Sequence, residues 1–216
     1  MRRTAPVVAS LACAIFALVL FSWLSEEVFE GETKNFDGYV RTFVHHYSSP
    51  SLTAMMRFVT SLGSPSVLFS LFAIVSAAFL LAQWRAAALW LAIGVAGSVI
   101  LDITLKLLFH RARPMPFFSA MPLSYSFPSG HALSSFTFYG MLAGLLDARI
   151  HNGIVRVGVW AIAALLVLAI GFSRIYLGVH YPTDVIAGYC AAAVWVSALV
   201  YADHARRGRQ SAKSPK

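Results

Sequence analysis

Residues 173–184 read SRIYLGVHYPTD. The stretch separates two long apolar runs, roughly 157–172 and 182–202, and holds an arginine, a histidine and an aspartate. Ionisable groups so close to lipid are costly and mark a functional site by default. The rest of the chain says whether lipid is the right setting. Its 216 residues are 58% hydrophobic and 12% charged. An ordinary soluble domain carries about 25% charged residues. Mean hydropathy is +0.70, and apolar runs near bilayer length recur.

Working outward from that stretch, six spans are expected in a single all-α polytopic domain over 1–216: about 6–24, 67–83, 87–109, 128–146, 157–172 and 182–202. The first run is long enough to span and has no small-x-small cleavage site behind it, so a retained signal-anchor is expected. Residues between it and the second span form an acidic, polar loop with a short surface helix. Then comes LTAMMRFVTSL, an interfacial lead-in broken by Gly63, Ser64 and Pro65. Cys13 and Cys190 fall within spans and read as small packing residues rather than a disulfide or metal pair.

The net charge of +8 raises nucleic acid as a partner, but no basic cluster is interleaved with aromatics, and none is expected. Much of the excess lies at the ends, in Arg2, Arg3, Arg206, Arg207, Arg209, Lys213 and Lys216. Basic ends beside spans favour the cytoplasmic side and anionic lipid. With six spans, Arg85, Arg149 and Arg156 join them inside. Lys34, Arg41, Arg57, Lys106, Arg111, Arg113 and Arg174 then lie outside. The expected location is the inner (plasma) membrane, with both termini cytoplasmic.

In that topology three polar clusters share the outer face. KLLFHRARP sets Lys106 and Arg113 seven residues apart, two turns along one helix side, with Pro114 as the stop. FPSGH places Pro128 in the first turn of the fourth span, so that Ser129, Gly130 and His131 present a hydroxyl, free N–H groups and an imidazole. The opening stretch contributes Arg174, His180 and Asp184. Three cations and two helix N-termini make a cradle for a tetrahedral dianion such as phosphate. His180 and Asp184, four apart, have the spacing of an activated nucleophile and its orienting carboxylate. His131 is a second imidazole, suited to protonating a leaving oxygen.

These motifs are recognisable. The chain resembles the type 2 phosphatidic acid phosphatase family, membrane relatives of vanadium haloperoxidases and bacterial acid phosphatases. The family's patterns K-x6-RP, PSGH and SR-x5-H-x3-D read here as Lys106-LLFHRA-Arg113-Pro114, Pro128-Ser129-Gly130-His131 and Ser173-Arg174-IYLGV-His180-YPT-Asp184. Every fixed position matches, in order and spacing. The resemblance implies that His180 attacks phosphorus to form a phosphohistidine and that Asp184 orients it. His131 then serves as acid and later as base. Lys106, Arg113, Ser129, Gly130 and Arg174 hold the phosphate oxygens. No metal or cofactor is implied.

Among the variable positions, His110 and Arg111 are candidates for substrate contact, and Asp102 for pairing with Lys106. His45, His46, His151 and His204 read as solvated. Phe117, Phe118, Tyr125 and Phe127 read either as an acyl-chain entrance or as an interfacial aromatic belt. The expected activity is hydrolysis of a lipid phosphomonoester or diphosphate of the undecaprenyl diphosphate, phosphatidic acid or phosphatidylglycerol phosphate class. The alternatives are lipid-to-lipid phosphotransfer, a lipid-phosphate transporter and a vanadate-dependent peroxidase. Transporters set their charges at the midplane between repeated halves; here the charges lie at one face and no repeat is present.

Overall fold

The computed structural model describes residues 5–213, with side chains for 8–206. Arg2, Arg3, Arg207, Arg209, Lys213 and Lys216, which enter the orientation argument, therefore lie outside the described side chains. The described residues form helices joined by turns and loops. In chain order these are α1 (Ala5–Glu30), α2 (Lys34–His46), α3 (Pro50–Ser61), α4 (Pro65–Leu81), α5 (Arg85–Phe109), α6 (Gly130–Asp147), α7 (Gly153–Tyr176) and α8 (Pro182–Lys213).

Local chemistry accounts for several boundaries. Ser49 and Ser64 cap α3 and α4, accepting from Leu52 N and Val67 N, and Pro50 and Pro65 occupy the first helical positions. The two helices meet at 48°, so the expected lead-in and second span are a bent pair. Asn152 Oδ1 caps α7 by accepting from Ile154 N at 2.9 Å and Val155 N at 3.2 Å. Beyond α7, Gly178 takes φ +77°, and a Cβ there would come 2.7 Å from Phe117 N. Only glycine suits that combination.

Among the described residues, four helices are long and apolar enough to cross a membrane: those covering Val8–Glu30, Arg85–Phe109, Gly153–Tyr176 and Pro182–Arg206. The bent α3–α4 pair adds a fifth if it is one span. Helix α6, expected as a span, is not among them. It is packed between α5, α7 and α8, with Ser135, Thr137, Phe138 and Tyr139 buried against protein. A helix that meets protein rather than lipid need not be apolar throughout.

Large side chains such as Phe16, Ile74, Leu108 and Leu165 are exposed around the outside, as a lipid-facing surface requires. The interior is built from Leu91, Phe138, Val167 and Ile170. Helix α8 packs against α1 and α6 through small buried residues, Ala187, Cys190, Ala191 and Ala192. Small residues permit the close backbone approach on which helix association in lipid depends. Cys13, by contrast, is exposed, and both cysteines are free thiols.

The chain reverses so that the C-terminal ends of α5 and α7 and the N-terminal ends of α6 and α8 gather at one end of the bundle. At the other end the Arg149 guanidinium lies 3.9 Å over the Trp84 ring, joining the α4–α5 turn to the α6–α7 link. The three expected polar clusters therefore converge.

Candidate active site

His180 lies in the short link between α7 and α8 and is buried. Its Nδ1 is 3.3 Å from Asp184 Oδ2, and its Nε2 is 2.9 Å from Arg113 Nη1. A guanidinium can only donate, so Nε2 accepts and the ring proton sits on Nδ1, facing the carboxylate. Burial pushes the imidazole pKa down to about 4, although Asp184 pulls the other way. The ring is therefore neutral at physiological pH, with its basic lone pair on Nε2.

Asp184 is fully buried and saturated with donors. Its Oδ2 accepts from Ser126 Oγ at 2.5 Å and Tyr181 N at 2.8 Å, besides His180. Its Oδ1 accepts from Arg111 Nη1 at 2.6 Å. Its backbone carbonyl accepts from Ser129 N at 2.9 Å, which ties the second motif to the third. Ser129 is the residue that caps α6, and the helix begins at Gly130, so Pro128 precedes the cap instead of forming the first turn. The N–H groups at this end have no partners within the helix. Ser129 Oγ is buried and bonded to no described residue.

Lys106 and Arg113 meet by a different route from the one expected. Helix α5 stops at Phe109 because His110 takes a left-handed conformation, φ 47°, so Arg113 belongs to a loop and shares no helix face with Lys106. The loop nevertheless returns it to the same centre, where burial lowers its pKa and Asp184 and Asp102 act the other way. Arg113 is fastened by Ser124 O at 2.6 Å, Ser124 Oγ at 2.9 Å and Val179 O at 2.8 Å. Lys106 pairs with Asp102, as its spacing suggested. A Cβ on Gly130 would fall 2.8 Å from Asp102 Oδ1 and 2.9 Å from Lys106 Nζ, so this pair abuts the start of α6.

Arg174 donates to Thr60 Oγ1 at 2.8 Å, and its Nε is buried and bonded to no described residue. His131, in the first turn of α6, lies within electrostatic range of Arg174, His180, Lys106 and Arg113. It also lines a cavity of about 150 Å³ with Asp102, Gly130, Leu68, Val95 and Phe138. The structure thus brings together Lys106, Arg113, Ser129, Gly130, His131, Arg174, His180 and Asp184. The Nε2 of His180 meets Arg113, with Arg174 close by; chemically, such a set can hold a tetrahedral anion and present a nucleophile to its central atom.

The remaining candidates separate. His110 packs edge-on against Tyr125, ring centroids 4.6 Å apart. Arg111 points to protein instead: to Asp184, Thr183 and Asp37. His45, expected to be solvated, is partly buried and stacks on Phe117 at 4.1 Å. Phe127 is neither entrance nor belt, since it is buried against Phe21 and Phe109. Asp37 escaped sequence reading altogether.

A family model described as the PAP2 superfamily matches residues 87–208. The chain belongs to the PAP2 superfamily. It is 32% identical over 151 residues to phosphatidylglycerophosphatase B of Bacillus subtilis, covering 65% of this chain and 70% of that one. Identity to an undecaprenyl-diphosphatase of Sulfolobus acidocaldarius is 27% over 162 residues, 72% of each chain. The fold is similar to the crystal structure of a transmembrane PAP2-type phosphatidylglycerolphosphate phosphatase from Bacillus subtilis. The TM-score is 0.83 and the identity 25%, over 88% of this chain and 95% of that one. The protein is therefore a membrane phosphatase of the PAP2 type, a hydrolase of phosphoester or diphosphate bonds.

Proposed function

We propose that this PAP2 protein removes phosphate from a membrane lipid, a phosphomonoester or diphosphate, through a phosphohistidine on His180 and without a metal. The relatives named above act on lipid phosphates by name, and the apolar cavity beside His131 suits a lipid's chain. The observation that carries the chemistry is the geometry at His180: Nδ1 lies 3.3 Å from Asp184 Oδ2 and Nε2 2.9 Å from Arg113 Nη1, which fits a proton on Nδ1 and a lone pair on Nε2.

In the first step a substrate phosphate takes the donors of Arg113, Arg174, Lys106 and the α6 N-terminus. Arg113 transfers its hydrogen bond from Nε2 to a phosphate oxygen. The Nε2 lone pair then forms a bond to phosphorus as the bond to the leaving oxygen breaks, and His131, protonated once the phosphate's negative charge offsets the cations around it, gives that oxygen a proton. Asp184 stabilises the positive charge developing on the imidazole. In the second step His131 takes a proton from water, the water oxygen bonds to phosphorus, and the P–N bond breaks to restore neutral His180.

A single six-span domain with the site at the outer face and both termini inside completes the proposal. The gathering of all site residues at one bundle end supports it, as does the placement of Arg85, Arg149 and Arg156 towards the other. Reporter fusions at Lys216 and within 26–49 test the orientation; a cytoplasmic signal from the loop would reverse it.

The activity test is phosphate release by the purified protein in detergent with EDTA present. Undecaprenyl diphosphate, phosphatidic acid and phosphatidylglycerol phosphate are the substrates, and His180→Ala is the control. Release from one lipid that is lost in the variant is expected. Transfer of phosphate to a second lipid without free phosphate would reassign the protein as a phosphotransferase.

A further inference from the structure

Thr33, Asp37, Arg41 and His45 are spaced by four residues, Thr33 capping α2 and the others within it. That spacing puts them on one helix face, which packs on the loop at Met115 and Phe117 and on the start of α8. Arg41 donates to Met115 O at 2.8 Å and lies 4.8 Å over the Phe117 ring. His45 stacks on the same ring. Asp37, fully buried, accepts from Arg111 Nη2 at 2.7 Å, Thr183 N at 3.1 Å and Thr183 Oγ1 at 2.8 Å. Arg111 Nη2 also donates to Thr33 Oγ1 at 3.0 Å.

A closed ring results. Asp37 grips the first turn of α8 at Thr183 and, through Arg111, the next residue, Asp184. The Arg111 guanidinium is planar and its nitrogens cannot turn independently, so Asp37 on one side sets the direction of the bond to Asp184 Oδ1 on the other. The Tyr181 ring, 4.2 Å from the guanidinium, covers it. Ser126 Oγ and Tyr181 N hold Asp184 at Oδ2 only, and the last torsion of a carboxylate is otherwise soft. Held at Oδ1, Asp184 keeps Oδ2 aimed at His180 Nδ1.

Resting on the reading of His180 as nucleophile, we infer that Asp37 and Arg111 are positioning residues of the phosphatase reaction. Helix α2 is the element that brings Asp37 to them. Neither residue touches the phosphate. They fix the carboxylate that fixes the imidazole.

The test uses the full-length protein in detergent with phosphatidic acid, comparing Asp37→Asn, Arg111→Gln and Arg111→Lys. His180→Ala and Tyr39→Ala, the latter on the exposed side of α2, are controls. The expected result is a fall in kcat of about 10- to 100-fold from slight misplacement of reacting groups, with KM nearly unchanged. Arg111→Lys fails to restore the rate, because an ammonium cannot bridge two carboxylates as a fork does.

The pH profile supplies a readout that lost stability alone would not move. His180 faces Asp184, Arg113, Arg174 and His131. Without Arg111 the Asp184 charge is less neutralised and draws the ring proton more strongly, so the acid limb moves up in Arg111→Gln. Wild-type kcat in folded Asp37→Asn, recovery in Arg111→Lys, or a raised KM with kcat intact would each overturn the inference. If Asp37→Asn does not fold, Thr33→Val removes a single bond to Arg111, and the same outcomes apply to a several-fold loss. Persistent turnover in His180→Ala would instead refute the nucleophile itself.

Discussion

Arg113 Nη1 lies 2.9 Å from His180 Nε2, so the basic atom of the candidate nucleophile is held by a cation of the phosphate cradle. The two groups guard one another. The imidazole gives the guanidinium an acceptor, and the guanidinium keeps the lone pair aimed at the position phosphorus will take. Substrate binding then replaces one neutral acceptor with an anionic one, a stronger partner for the same donor.

It follows that Arg113→Ala loses both orientation and charge stabilisation. We expect kcat to fall by about 10²- to 10³-fold, the range found when one transition-state donor is removed. Arg113→Lys should recover little, since Nε and Nη2 hold Ser124 while Nη1 reaches both Val179 O and His180 Nε2, and a single ammonium cannot span that set. Steady-state kinetics on both variants check this; a near-normal Arg113→Lys would show that charge alone suffices.

The pKa of His180 sets the acid side of the pH profile. Because burial lowers it to about 4, the nucleophile stays unprotonated well below the 6.5 of a free imidazole. Activity governed by this group should therefore decline only as pH approaches 4. Stability moves in the same direction. Between pH 6.5 and 4 the unfolded chain binds a proton that the folded one refuses, so His180 costs increasing stability as pH falls through that window and nothing further below it. Chemical denaturation at several pH values, compared with His180→Asn, measures the effect; equal pH slopes in the two proteins would contradict it.

Gly130→Ala separates stability from activity. Alanine is the better helix former by about 1 kcal/mol, but its Cβ would fall under 3 Å from both Asp102 and Lys106. The ion pair has to move, and the cradle with it. An expected loss of about 100-fold in kcat for a misplacement near 1 Å should accompany a folded protein. Activity within a few-fold of wild type would mean that the pair moves without consequence.

Asp184→Asn tests the orienting carboxylate. The amide cannot accept from Arg111, Ser126, Tyr181 and His180 together, and it favours the wrong imidazole tautomer. In the serine-protease triad the same change lowers kcat by about 10⁴-fold, and a loss of at least 10³-fold is expected here by the same logic. Phosphate release per folded molecule, with folding judged by monodispersity, is the measurement. A loss below tenfold would show that Asp184 is structural.

Much of this was legible beforehand because it depends on short-range pattern. Apolar runs announced the membrane helices, Pro and Ser announced the starts of α3 and α4, and the three motifs named the residues that meet at the site. Asp102 and Lys106 could be paired from spacing alone, being one turn apart. The α6 start moved by two residues, because Ser129 takes the N-cap position with extended backbone and Pro128, expected in the first turn, lies before it.

What spacing could not give depends on groups distant in the chain. Arg111 looked like a substrate contact because a lone arginine beside a phosphate motif has no visible partner. Its partners, Asp37 and Asp184, are 74 and 73 residues away. Asp37 stood in an acidic stretch that reads as a solvated loop, and only the docking of α2 buries it. Helix α6 read as a lipid-facing span, and only its packing against α5, α7 and α8 shows that it meets protein instead. From the sequence alone came the residue types, the helices and the kind of chemistry, since these follow from local propensity and periodicity. The tertiary structure decided which charge neutralises which, because that depends on distances between elements that no local pattern encodes.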